Sequence, residues 1–133
     1  MPFSDADYAH PCTHDHEPTL LSFEVMPPRK PSLEAPFWDT VDRLLQVRPD
    51  FMSVTYGAGG KDRHNARSTV QRLVRDTPIQ PIAHLTCVGN STEEVVSTVY
   101  DYLDSGVRTF LALRGDPPVG QDGWEPGPGG VGS

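Results

Sequence analysis

The sequence is poor in the features that would place it in several other classes of protein. It has two cysteines, Cys12 and Cys87, in 133 residues, too few for a disulfide framework. Its apolar runs are a few residues long, whereas a helix that spans a membrane needs about 20 apolar residues. Its 11 basic residues are outnumbered by 18 acidic ones, and a net charge of −7 argues against a nucleic-acid partner. We therefore expect neither a membrane nor a nucleic acid as partner.

The first residues also lack the features of an export signal. Residues 1–18 have no basic start and no apolar stretch, so we expect a polar, disordered tail on a cytoplasmic protein with reduced thiols. His10, Cys12, His14 and His16 could suggest a metal site. A polar tail has no scaffold that would hold the ligands in place, and no metal is predicted.

From residue 19 onward, short apolar runs alternate with helical patterns. The predicted strands begin near residues 21, 51, 82 and 109, a period of about 30 residues that is typical of βα units with parallel strands. The predicted class is α/β, with four strands and three intervening helices. On this pattern alone, a small open sheet and half of an eight-stranded barrel both remain possible. The predicted helices run from Ser32 to before Pro49, from Asn65 to Asp76, and from caps at 90–92 to a stop at Gly106.

Helical spacing of apolar residues predicts which face of each helix is buried. The buried positions predicted in the first helix are Leu33, Phe37, Trp38, Val41, Leu44 and Leu45, those in the second are Ala66, Val70, Leu73 and Val74, and those in the third are Val95, Val96, Val99 and Leu103.

Polar residues stand at or near the ends of successive predicted strands. Glu24 interrupts the first strand, Thr55 ends the second, His84 lies in the third, and Arg114 and Asp116 follow the fourth. Ligands bind at the carboxyl ends of the strands in open α/β sheets and in barrels alike. The sequence therefore predicts a ligand site at this edge of the sheet.

Each of these residues also has a simpler interpretation. Glu24 could face water from an edge strand, or it could be a partly buried general acid. His84 could be a hydrogen-bonded histidine of the core. Arg114 and Asp116 could pair with each other in a local turn, or they could offer a ligand a donor and an acceptor around Gly115.

Two motif-like segments match nothing specific. The glycine-rich segment 56–61 lacks the spacing of a phosphate-binding loop and the third glycine of a dinucleotide fingerprint. The segment 90–92 matches a glycosylation sequon, but a helix cap explains it better in a cytosolic protein.

Four segments together resemble one family. They are Ser22–Arg29, Phe51–Ala58, Ala83–Cys87 and Ala112–Pro118, and they resemble methylenetetrahydrofolate reductase in order and spacing. The resemblance implies a (β/α)8 TIM barrel, of which residues 19–118 would form the amino-terminal half. It leaves residues 119–133 as a Gly- and Pro-rich tail, which we interpret as a truncation point.

The resemblance also implies a reaction and roles for residues. The family passes a hydride from NADH or NADPH to FAD and then to 5,10-methylenetetrahydrofolate, giving 5-methyltetrahydrofolate for methionine biosynthesis. It implies that Glu24 is the general acid and that Asp116 lies near both flavin and folate. It implies a homo-oligomer as well. The alternative is a non-catalytic half barrel that persists only by self-association or pairing. The residues implied in FAD binding are Thr55, Tyr56, Ala58, His84, Arg114, Gly115 and Asp116.

Overall fold

Strands and helices alternate along the chain, and the strands form one parallel sheet. The structure, a computed structural model, describes residues 19–56, 63–116 and 120. Within them the sheet has four strands in the order β1-β2-β3-β4, which confirms the α/β class and the repeated βα units. The elements are β1 (Ser22–Val25), α1 (Glu34–Leu45), β2 (Phe51–Val54), α2 (Arg63–Asp76), β3 (Gln80–Thr86), α3 (Thr92–Asp104) and β4 (Thr109–Leu113).

The register of the strands gives the sheet two different faces. Val25, Val54 and Ala83 are paired across β1, β2 and β3, and all three are buried. One position earlier, Glu24 pairs with Ser53, which pairs with Ile82, and none of these three is buried. Because side chains alternate along a strand, the helices cover the first face and leave the second uncovered. This is the arrangement of part of a (β/α) barrel, whose inner face is completed by further strands.

The hydrophobic core lies between the sheet and the helices. Fully burying a side chain such as valine, leucine or methionine contributes about 1.5–3 kcal/mol to stability. Tyr102 and Phe110 meet edge to face, with ring centroids 6.1 Å apart, where α3 packs on the sheet. The core consists of Val25, Val41, Leu45, Met52, Val54, Val70, Leu73, Ile79, Ala83, Tyr102 and Val107.

Helix α1 begins later than the sequence predicts. Residues Pro31–Leu33 form a single 3-10 turn, so Ser32 is not a cap, and α1 starts at Glu34 without a side-chain cap. Leu33 is 50% exposed, which contradicts its predicted burial. Pro36 lies in the first turn of α1, where its missing N–H costs little.

Helix α3 has the predicted ends but a partly different buried face. Ser91 is its N-cap and forms a reciprocal capping box with Glu94. Gly106, with φ of 95°, follows the helix and ends it as predicted. Val96 is 47% exposed, contrary to the prediction, and Tyr102 is the residue of α3 that is buried. The helical spacing was right, but the buried stripe is centred on Tyr102.

β2 and β4 begin at the predicted residues, whereas the starts of β1 and β3 differ from the predictions by one or two residues. β1 begins at Ser22, and Leu20 and Leu21 before it are exposed. β3 begins at Gln80 and includes Pro81, although proline removes a ladder donor. The pairing of β3 with β4 starts only at Ile82, so Pro81 has a neighbouring strand on the β2 side alone. None of the helices in the described ranges is long and apolar enough to cross a membrane.

Several predictions fall outside the described residues. They are the polar tail at 1–18, the Gly- and Pro-rich tail at 119–133 apart from Gly120, the cluster His10, Cys12, His14 and His16, and Ala58.

Candidate active site

The carboxyl ends of the strands bring the predicted site residues to one edge of the sheet. All strands are parallel, so Glu24, Thr55 and Arg114 each lie within or directly after the last residues of a strand. Thr55 is tied to β1 because its backbone N–H donates to the Val25 carbonyl over 3.0 Å. The strand pairing therefore continues one residue beyond β2 and fixes the place of Thr55.

Glu24 and His84 meet across the uncovered face of the sheet. Glu24 is on β1 and His84 is on β3, so the two side chains reach over β2. The Oε2 atom of Glu24 lies 3.7 Å from the Nε2 atom of His84. This distance allows an ion pair if the imidazole is protonated, but it is too long for a hydrogen bond.

The two members of the pair differ greatly in burial. The His84 side chain is 7% exposed, whereas the Glu24 side chain is 61% exposed. The partial burial expected for Glu24 is therefore not found: it lies on an edge strand of the described sheet and faces solvent. The simpler interpretation of Glu24, a water-facing carboxylate on an edge strand, describes its exposure correctly. It does not describe the contact with a buried imidazole.

The Nε2 atom of His84 is buried and has no hydrogen-bond partner among the described residues. A buried nitrogen without a partner costs roughly 1–3 kcal/mol, so such atoms usually have a protein, water or ligand partner. The simpler interpretation of His84, a hydrogen-bonded histidine of the core, is therefore wrong for this nitrogen. His84 is a buried polar group, and its unpaired Nε2 atom lies beside the Glu24 carboxylate.

The end of β4 is fixed by the turn after β3. The backbone N–H of Cys87 donates to the Leu113 carbonyl over 2.9 Å, and that of Val88 donates to the Arg114 carbonyl over 2.7 Å. Gly115 follows with φ of 88°, in the left-handed region that favours glycine. A Cβ atom at this position would overlap the side chains of Val88 and Thr86. The chain can therefore pass so closely over this turn only as glycine.

Arg114 and Asp116 are exposed on either side of Gly115. Within the described part of the chain, the two side chains form no ion pair with each other, so the local Arg–Asp turn pair is wrong. Both charged groups remain accessible at the edge of the sheet. The structure gives no direct contact between them and the Glu24–His84 pair.

Tyr56 follows Thr55, beyond the end of β2. It is half-buried, and it is near enough to Tyr102 to affect its ionisation. Burial, with a smaller contribution from Tyr56, raises the pKa of Tyr102 to about 12.

Asn90 has a role that the sequence did not reveal. The helix cap that the sequence placed at 90–92 is Ser91, whereas the Asn90 side chain turns back and binds the turn after β3. Asparagine side chains commonly form hydrogen bonds to nearby backbone in turns. This tendency is the feature of the sequence that could have indicated the role of Asn90.

Comparison with known proteins gives one consistent result. The sequence model described as methylenetetrahydrofolate reductase matches residues 12–132. A 5,10-methylenetetrahydrofolate reductase of Pectobacterium carotovorum subsp. carotovorum is 40% identical over 106 residues, which are 80% of this chain and 35% of that protein. The protein of the same name from Buchnera aphidicola subsp. Acyrthosiphon pisum is 42% identical over 95 residues, 71% of this chain and 32% of that protein.

A plant protein is also similar. Methylenetetrahydrofolate reductase (NADH) 1 of Arabidopsis thaliana is 33% identical over 104 residues, which cover 78% of this chain and 18% of that protein. The chain spans about a third of the length of the bacterial relatives it matches. Because the family match covers nearly all of the sequence and agrees with the strand order, the chain belongs to the methylenetetrahydrofolate reductase family.

Proposed function

We propose that this chain carries part of the active site of a methylenetetrahydrofolate reductase, an oxidoreductase of one-carbon metabolism. The reaction reduces 5,10-methylenetetrahydrofolate to 5-methyltetrahydrofolate with FAD and with NADH or NADPH as the reductant, and it serves methionine biosynthesis. The observation that carries this proposal is the contact of Glu24 with the buried His84 on the uncovered face of the sheet. A carboxyl group and an imidazole meet there at the edge where barrels of this kind bind their ligands.

The residues at this edge fit a flavin cofactor. The Nε2 atom of His84 is buried beside Glu24 without a hydrogen-bond partner in the described chain, and a ligand atom would reach it only where the exposed Glu24 side chain moves aside. The exposed Arg114 guanidinium can pair with a phosphate. When bound, FAD would supply the hydride transfer between nicotinamide and folate. The residues that would hold it are Thr55, Tyr56, Ala58, His84, Arg114, Gly115 and Asp116.

Glu24 would act as the general acid of the folate step. The methylene group of the substrate bridges two nitrogens in a closed ring, and the ring must open to a cationic iminium before the carbon accepts a hydride. A proton from the Glu24 carboxyl to the leaving nitrogen would drive this opening. His84 lies 3.7 Å away and would keep the carboxyl over the strand edge. The negative charge of Asp116 would favour the cationic substrate.

A second candidate function follows from the uncovered face itself. Leu111 and Leu113 of β4 are 42% and 39% exposed there, and their apolar surface could be covered by another chain. The second candidate is a non-catalytic protein that persists by self-association or by pairing. A homo-oligomer in the cytoplasm is compatible with both functions and is part of the proposal.

Flavin binding distinguishes the two candidates. The purified chain should be yellow, or should become so when FAD is added, and a titration should give saturable quenching of flavin fluorescence. A colourless chain that does not bind added FAD would sink the enzyme proposal. If that chain were also a stable dimer by light scattering, the second candidate would be favoured.

The role of Glu24 is tested by separating the two halves of the reaction. In E24Q, flavin binding and NAD(P)H oxidation by a quinone should persist, whereas folate reduction should be lost, because the amide cannot donate the proton. E93Q is the matched control, since Glu93 is an exposed carboxylate on α3. It should retain both half-reactions. Loss of both halves in E24Q would contradict the role of general acid.

A further inference from the structure

The turn after β3 extends the pairing of β3 with β4 beyond both strands. β4 ends at Leu113, but the N–H groups of Cys87 and Val88 continue the ladder to the carbonyls of Leu113 and Arg114. The orientation of Arg114 therefore depends on the conformation of a turn in another βα unit. A change in this turn would move the start of the segment that carries Arg114, Gly115 and Asp116.

The Asn90 side chain fixes this turn. Its Nδ2 atom donates to the Thr86 carbonyl over 3.0 Å and to the Val88 carbonyl over 3.3 Å. Its backbone N–H donates to the Cys87 carbonyl over 3.2 Å. Three consecutive carbonyls are thus turned toward Asn90, and the N–H groups of Cys87 and Val88 are left to face β4. Asn90 itself is 8% exposed, so water competes little for these bonds.

The position of Gly115 against this turn is also restricted. The side chains of Thr86 and Val88 fill the space beside Gly115, and a Cβ atom at position 115 would lie 2.6 Å from the Thr86 Cγ2 atom. The turn and the Gly115 backbone therefore fit together only in a narrow range of positions.

We propose that Asn90 is a positioning residue for the flavin site: it holds the turn 86–88, and through that turn it sets the direction of Arg114 and Asp116. This inference rests on the proposed function, because it takes Arg114 and Asp116 to be residues that bind the flavin. Asn90 is not one of the residues that we propose to bind flavin or folate. Its effect passes through hydrogen bonds of uncharged groups.

The test compares N90A with T77V in the full chain. Thr77 closes a turn by a similar hydrogen bond, from its Oγ1 atom to the Leu73 carbonyl over 2.7 Å, but before β3 at the opposite edge of the sheet. In N90A, exchange of the Val88 amide, measured by NMR without flavin, should become about tenfold faster, and FAD should bind about tenfold more weakly. The Thr55 amide is the internal reference and should be unchanged. T77V should alter neither quantity, even if it lowers the unfolding temperature equally.

N90D separates the lost hydrogen bonds from the lost volume. The carboxylate keeps the size of the amide but cannot donate to two carbonyls, so N90D should weaken FAD binding at neutral pH at least as much as N90A does. If N90D binds FAD as the unmodified chain does, the proposal is wrong.

The remaining outcomes of the test also support or overturn the proposal. Unchanged exchange of the Val88 amide in N90A would overturn the proposal, as would faster exchange with unchanged FAD affinity. Equal weakening of FAD binding by T77V would show a general loss of stability and would also overturn it. If the unmodified chain does not bind FAD, the proposed function fails, whereas faster exchange of Val88 in N90A still supports the positioning of Arg114 by Asn90.

Discussion

Replacing Gly115 with alanine tests the close contact between the end of β4 and the turn after β3. The φ of 88° at Gly115 would cost an L-residue about 1–2 kcal/mol. The new Cβ would also overlap the side chains of Val88 and Thr86, and overpacking of this kind costs about 1–3 kcal/mol. G115A should therefore lower the free energy of unfolding by about 2–5 kcal/mol, a large fraction of the stability of a small domain.

The matched control is G89A. Gly89 has a φ of 73°, but a Cβ added there would meet nothing within 4 Å. Both substitutions restrict the unfolded chain to the same extent, so the difference between them isolates the overlap. Urea unfolding followed by circular dichroism should show G115A at least about 1 kcal/mol less stable than G89A.

A double variant identifies the atoms responsible. V88A removes the nearest of the overlapping methyl groups, so it should recover part of the loss in G115A. In the unmodified background, V88A should have no stabilising effect. If G115A and G89A were equally stable, the close contact would not exist in solution and the reasoning on this edge of the sheet would be refuted.

Two further predictions concern the helices. S91A removes the capping box of α3 and should cost about 1 kcal/mol in urea unfolding, whereas S97A, at an exposed position of the same helix, should be neutral or slightly stabilising. An equal effect of the two would contradict the cap. Burial raises the pKa of Tyr102 to about 12, so the unfolded chain loses this proton first as the pH rises. Stability from this group is therefore complete below about pH 10 and should fall by about 2–3 kcal/mol between pH 10 and pH 12. Y102F should abolish this component of the fall, and an identical pH dependence in Y102F would refute it.

The alternation of elements was predictable because it depends on local pattern. β4 begins at the predicted residue, since Thr109–Leu113 is a β-prone run between Gly106 and Gly115. The buried face of α3 was predicted less well, because helical spacing does not distinguish Val96 from Tyr102. Only the packing of Tyr102 against Phe110 on the sheet decides that.

The candidate site was predictable as a set of positions but not as a set of contacts. The strand ends of a parallel sheet share one edge, so the approximate places of Glu24, His84 and Arg114 follow from the sequence. The contacts and the exposure of these side chains depend on the strand register and on the uncovered face of the sheet. The register lets Glu24 reach His84 across β2, and the absence of covering helices leaves Glu24 exposed. Asn90 illustrates the same limit, since a residue before a helix cap can bind either the helix or the preceding turn.

The two faces of the sheet have a consequence for how this protein can change in evolution. Val54 and Ala83 of the helix-covered face belong to the core, whereas Glu24 and His84 on the other face do not. Variation in one set therefore leaves the other nearly untouched, although neighbours along a strand belong to opposite sets. Mutational tolerance along β1, β2 and β3 should alternate with a period of two. Substitutions at every second position should lower the folding stability, and substitutions at the positions between them should alter ligand binding or catalysis.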